Sequence, residues 1–168
     1  MDMSDSQTIN APRDVVWAAL NDPEVLKACI PGCESVEKLS DTEMQAKVTL
    51  KIGPVKASFT GKVTLSNLDP PKGYTISGEG QGGVAGHARG GADIRLEEAG
   101  DATILHYDVK AEVGGKIAQL GARLIDGTAK KLAGEFFTKF GEVVAPSPEV
   151  EASADAPKKG KWWKFGKE

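Results

Sequence analysis

Histidine and cysteine are scarce in this chain of 168 residues, with two of each. Structural zinc sites need clusters of Cys and His, and small disulfide scaffolds need several paired Cys, so neither class fits. Cys29 and Cys33 flank Ile30-Pro31-Gly32. A redox pair has two intervening residues rather than three, and the spacing points to one Cys packed as a small hydrophobe and the other in a loop. No stretch approaches 18 consecutive apolar residues, the length that a membrane-spanning helix requires. Met1 to Gln7 has neither the basic nor the apolar region of a secretory signal, and the expectation is a cytoplasmic protein.

Strong net charge is also missing, at −3 overall, but that total hides a division. Residues 158–168 carry five Lys and one Glu, net +4, which leaves −7 for residues 1–157. Lys158, Lys159, Lys161, Lys164 and Lys167 surround Trp162, Trp163 and Phe165. Trp favours the headgroup level of a bilayer and each Lys near an anionic leaflet contributes about 1 kcal/mol, so the tail suits reversible membrane binding. Docking on an acidic protein surface, or a solvated end that binds nothing, are the alternatives. Nucleic acid is not expected as a partner, because the acidic body opposes it. Residues 145–157 contain three Pro and three acidic residues and read as an extended linker.

What the chain does have is a change of hydrophobic period. Thr8 and Ile9 suggest a short opening strand. Val16, Trp17 and Leu20 follow Pro12 at helical spacing, and Asp22-Pro23-Glu24 starts a second short helix that Pro31-Gly32 stops. From Met44 onward the period is two. Met44, Ala46, Val48, Leu50 and Ile52 alternate with polar residues, as do Val55, Ala57, Phe59, Gly61, Val63 and Leu65. Tyr74 to Gly80, including Ile76, continues the meander. Ala88 to Leu96, including Ile94, and Thr103, Leu105, Tyr107, Val109, Ala111 and Val113 complete it. Strict alternation predicts antiparallel strands with one wet face. A last helix is predicted from the stripe Ile117, Leu120, Leu124, Thr128, Leu132, Phe136, Phe140 and Val143, with Phe137 beside it. The order is one strand, two short helices, about six antiparallel strands and one long helix. This is an α+β architecture in which a curved sheet wraps the C-terminal helix, leaving a space that can widen into a cavity.

Glycine is in excess, 20 residues, about 12% against a usual roughly 7%. Seven lie within residues 78–91, but no Gly-Lys-Ser/Thr follows them and no βαβ unit surrounds them, so a phosphate-binding loop is not indicated. Gly127, Gly134 and Gly141 recur every seven residues of the last helix, which suggests close packing on the sheet or room left for a ligand. Catalytic machinery is not evident. His106 and His87 fall out of phase with the inward residues, no inward carboxylate pair is visible, and Tyr107 is the main inward polar group. No catalytic residue and no metal site is therefore assigned.

Several segments carry a resemblance: Ala11-Pro12-Arg13-Asp14-Val15-Val16-Trp17, Leu20-Asn21-Asp22-Pro23, Cys29-Ile30-Pro31-Gly32-Cys33-Glu34, and Gly78-Glu79-Gly80-Gln81-Gly82-Gly83 followed by Gly86-His87-Ala88. The first is similar to the START-like (SRPBCC) helix-grip superfamily. The Ile-Pro-Gly turn and the Gly-rich run resemble one branch, the CoxG family of carbon monoxide dehydrogenase subunits. The resemblance covers about residues 4–144. It implies a helix-grip fold, a cavity for an apolar ligand, association with a molybdenum hydroxylase of the carbon monoxide dehydrogenase type, and a link to the membrane and its respiratory quinone.

The resulting expectation is a non-enzymatic accessory protein, peripheral at the inner face of the cytoplasmic membrane, with no covalent cofactor. Residues 1–144 form the ligand-binding domain. The residues expected to line its site are Val48, Leu50, Phe59, Val63, Ile76, Ile94, Leu105, Tyr107, Val109, Leu120, Leu124, Gly127, Gly134 and Phe137, around a quinone or lipid. The alternatives are an assembly or docking factor without a ligand, and a small enzyme of the cyclase or hydratase type, which also occurs on this fold.

Overall fold

The computed structural model describes residues 1–145, so the linker expected from the sequence, apart from Ala145, and the basic aromatic tail lie outside the described residues. Strand β1 (Asp2–Ile9) is followed by helices α1 (Arg13–Leu20) and α2 (Pro23–Cys29). Strands β2 (Cys33–Lys38), β3 (Glu43–Ile52), β4 (Val55–Asp69), β5 (Gly73–Gln81), β6 (His87–Ala99) and β7 (Ala102–Gly114) come next, and α3 (Ala122–Val144) closes the order. The seven strands form one antiparallel sheet in the order β1-β7-β6-β5-β4-β3-β2. The chain crosses from one edge of the sheet to the other through α1 and α2. The expected fold class is therefore correct, but three boundaries differ from the sequence reading.

The first difference is β1, which is eight residues long rather than Thr8 and Ile9 alone. It is an edge strand paired with β7 from Asp2↔Lys110 to Ile9↔Thr103, so backbone pairing holds polar residues such as Ser4 and Ser6 in a strand without an apolar alternation. The second is β2, which opens at Cys33 rather than leaving that residue in a loop. Both thiols are free, and Cys29 is buried as expected. The third is the last helix. Ile117 and Leu120 belong to a separate 3-10 turn, Lys116–Leu120, and Gly121 breaks the chain before α3 begins.

The short helices form for the reasons visible in sequence. Asp22 accepts a hydrogen bond from the Glu24 amide at 2.9 Å, with Pro23 at the first helical position. Helix α1 buries Val16, Ala19 and Leu20. The buried hydroxyl of Thr103 donates to the Ala11 carbonyl at 2.8 Å, tying the start of α1 to β7.

The core is concentrated at one end of the sheet. Leu96, Leu105, Tyr74 and Tyr107 from the strands pack with Val16, Leu20 and the wholly buried Phe140 of α3. An aromatic stack reinforces it. Tyr107 lies on Phe137 at 5.3 Å, Phe136 meets Phe137 edge-on at 5.1 Å, and Phe136 stacks on Phe140 at 5.6 Å. Such pairs contribute about 0.5–1.5 kcal/mol each beyond area burial. Trp17 meets Tyr74 edge-on at 5.2 Å.

The helix glycines correct the sequence reading. Gly127, Gly134 and Gly141 do not pack on the sheet, because a side chain added at any of them meets nothing within 4 Å, and none of them lines the cavity between sheet and helix. The side of α3 that faces the sheet is Ile125, Thr128, Ala129, Leu132, Phe136 and Phe140, on which the glycines do not lie. Gly134→Ala is expected to stabilise the fold by about 1 kcal/mol, whereas Phe140→Ala is expected to cost about 3–5 kcal/mol, both read by chemical denaturation.

Burial drives the Tyr74 hydroxyl well above its ordinary value of 10.0. The folded state thus keeps its proton at a pH where the unfolded chain has lost it. The associated stability is complete below about pH 10 and falls as pH rises beyond that value. Tyr74→Phe is expected to flatten this alkaline loss in pH-dependent unfolding.

Candidate functional site

Next to the aromatic end, two rows of the inner face of the sheet are built mostly from glycine, alanine and valine, with the bulkier Val48, Phe59, Leu50 and Ile52 beyond them. Ala46, Gly61, Gly80, Ala88 and Val113 are successive partners across β3 to β7, and Val63, Gly78, Gly90 and Ala111 form the adjacent row. Such side chains cannot reach α3, which the bulky aromatics hold up at the other end. The result is a cavity of about 460 Å³, within the range of small-molecule sites.

Its walls come from four parts of the chain. The sheet contributes Ala46, Val48, Leu50, Ile52, Phe59, Gly61, Val63, Gly80, Ala88, Ala111 and Val113; α3 contributes Ile125, Thr128, Ala129 and Leu132; the 3-10 turn contributes Ile117; and Ile30 and Pro31 close one side, with Met1 at the sheet edge. Thr128 carries the only polar side chain of this set. None of these residues bears an ionisable side chain, and the Met1 ammonium is engaged by the Ala111 carbonyl at 2.8 Å, so the side chains of the lining supply shape and dispersion contact.

Two glycines shape this space through their backbones. Gly32 has φ +73, and a side chain there would run into the Thr49 carbonyl. The Thr49 amide instead donates to the Gly32 carbonyl at 2.9 Å, and this close approach turns Ile30 and Pro31 into the cavity wall. Gly86 has φ +116 and lies against Gly114 and Gly115, so the turn between β5 and β6 meets the chain leaving β7. Phe59 fills the space a side chain at Gly82 would need. At Gly80, by contrast, an added side chain meets nothing within 4 Å, and the position opens on the cavity.

The residues expected from the sequence divide into groups. Val48, Leu50, Phe59 and Val63 line the cavity. Leu105 and Tyr107 are buried in the aromatic end, with Ile76, Ile94, Val109 and Phe137 half-buried against it. Leu120 is half-buried on the 3-10 turn, Leu124 is 38% exposed and lies over Gly53, and Gly127 and Gly134 lie outside the lining. Tyr107, the expected polar group, is not part of the lining. Burial pushes its hydroxyl up, the neighbouring Gln7 side chain draws it back, and Asp5 adds to the rise.

Ile30, Pro31, Ile117, Ile125, Ala129 and Leu132 were not among the expected site residues. Ile-Pro-Gly was the available signal for the first two. The histidines lie away from the cavity: His106 pairs with Glu97 at 2.8 Å, and His87 is exposed. Among the described residues no group of three His, Cys, Asp or Glu can hold a metal ion, and no helix is long and apolar enough to cross a membrane.

A sheet gripping one long helix around an apolar cavity defines the START-like class. A START superfamily protein from Mycobacterium smegmatis shares this fold at TM-score 0.65 and 14% identity, over 85% of this chain and 96% of that one. The chain belongs to the CoxG family of carbon monoxide dehydrogenase subunits, whose model matches residues 6–145. A conserved protein from Geobacillus kaustophilus is 29% identical with TM-score 0.81, covering 90% of this chain and 97% of that one. The Zhui aromatase/cyclase from Streptomyces shares the fold at TM-score 0.59 and 15% identity, over 93% of this chain and 96% of its own. No curated protein matches the chain in sequence.

Gly80→Leu places a large side chain in the space left by Gly61, Gly80 and Ala88. It is expected to leave the thermal midpoint unchanged or raised and to weaken uptake of a fluorescent fatty acid by at least about tenfold. Titrating both proteins with that probe checks this.

Proposed function

We propose that this protein carries a hydrophobic small molecule, a respiratory quinone or another isoprenoid or acyl lipid, as an accessory to a molybdenum hydroxylase of the carbon monoxide dehydrogenase type. It holds that partner at the cytoplasmic membrane, where carried quinone accepts the partner's electrons. The single observation behind the carrier reading is the 460 Å³ cavity, in whose lining Thr128 carries the only polar side chain among the described residues. An apolar chain buried in such a space gains about 25 cal/mol per Å² removed from water. The partner and the electron transfer are inferred from membership of the CoxG family; the membrane role is inferred from the charge and Trp content of residues 158–168.

A docking factor that binds no ligand needs only the outer surface, and it would leave the open face at Gly80 unexplained. An enzyme of the cyclase type has a neighbour on this fold, but the lining here offers no side chain for acid–base work.

Solvent extraction of the purified protein followed by mass spectrometry is expected to return an isoprenoid quinone or lipid near one per chain, and Gly80→Leu should lose it. An extract without such a molecule at meaningful stoichiometry contradicts the carrier role. For the tail, the full chain is expected to sediment with anionic liposomes more strongly than a chain ending at Pro157. Equal sedimentation removes the tail from the account.

A further inference from the structure

We propose that the rim of the cavity is itself a docking surface for an anionic phospholipid bilayer, separate from the C-terminal tail. Three segments meet at the open end of the sheet. They are the β3–β4 hairpin (residues 51–56), the turn between β5 and β6 (residues 82–87), and the 3-10 turn with the first residues of α3 (residues 114–124). Their proximity is fixed by contacts: Leu124 lies over Gly53, Phe59 of β4 against Gly82, and Gly86 against Gly115.

Two properties coincide here. First, the tips are apolar and uncovered. Val84 is 94% exposed, the extreme among large hydrophobic residues of the described chain, and Leu124 is 38% exposed. Second, these segments hold Lys51, Lys56, Lys116 and Arg123 and not one Asp or Glu, within a body that is otherwise acidic. Lys51 and Lys56 stand directly opposite each other across the hairpin, a like-charge pairing that weakens a sheet unless something neutralises it. Exposed apolar tips ringed by cations match a surface with anionic headgroups above hydrocarbon. Ile52 and Ile117 lead directly from this rim into the cavity lining. A bilayer is thus the occupant that satisfies both the charge and the apolar tips, and docking there sets the Ile52–Ile117 end of the cavity against the source of an apolar ligand. In its purpose this inference rests on the carrier reading, but its test does not.

The test uses the full chain with Lys158, Lys159, Lys161, Lys164 and Lys167, together with Trp162, Trp163 and Phe165, changed to Ser. It is sedimented with vesicles of equal parts phosphatidylcholine and phosphatidylglycerol, or of phosphatidylcholine alone. The expected result is retention on the anionic vesicles only, released by added salt, and weakened at least about tenfold by Lys56→Glu combined with Val84→Asp. Lys56→Glu puts an acid opposite Lys51 and so favours the hairpin, Val84 is almost wholly in solvent, and Lys56→Arg should keep full binding; loss of binding therefore does not report unfolding. Equal retention on both vesicle types, or anionic binding that the double substitution leaves unchanged, overturns the proposal. Lipid extraction of the same variants separates the two readings: a chain that docks but carries no lipid refutes the carrier, and one that carries lipid without docking refutes the rim.

Discussion

The aromatic stack of Tyr107, Phe137, Phe136 and Phe140 is the contact on which the rest of the molecule depends. It packs α3 tightly onto one end of the sheet, with Phe140 fully buried beneath it. A rigid helix fixed at one end must then stand off the sheet wherever the strands present only small side chains. The rows around Gly61 and Gly80 do this. The cavity is thus a consequence of unequal side-chain size along one sheet face, and α1 and α2 seal the end where the large residues lie.

Separating stability from function in this way has a physical logic. Close-packed cores tolerate few voids, and an apolar space left empty forfeits dispersion contacts on every wall. A chain that keeps such a space compensates elsewhere, here through the dense aromatic end, the Thr103–Ala11 hydrogen bond and the continuous pairing of seven strands. The lack of ionisable side chains in the lining fits a site that holds and releases an apolar molecule.

Much of this was legible in the sequence because strand alternation is a local signal. The residues from Met44 to Val63 and from Ala88 to Val113 show which side chains share a face, and Val48, Leu50, Phe59 and Val63 do line the cavity. Alternation does not show how far along that face a helix makes contact, so Ile76, Ile94, Leu105, Tyr107 and Val109 carry the same pattern although they belong to the closed end. The helix glycines mislead for a related reason. A seven-residue spacing places them on one side of α3 but does not say which side, and the phase is set by the break at Gly121, which the apolar stripe from Ile117 runs across. Strand β1 is hidden in the sequence because its order comes from pairing with β7, more than ninety residues away in the chain.

The central claim is that an apolar molecule occupies the space between the small-residue rows and the first half of α3. Methyl-resolved NMR of the protein titrated with a short-chain benzoquinone tests it most directly. Signals of Val48, Val63, Val113, Ile117, Ile125 and Leu132 are expected to shift together, while those of Leu96 and Leu105 at the packed end stay in place. Shifts confined to surface methyls, or none at all, contradict the account.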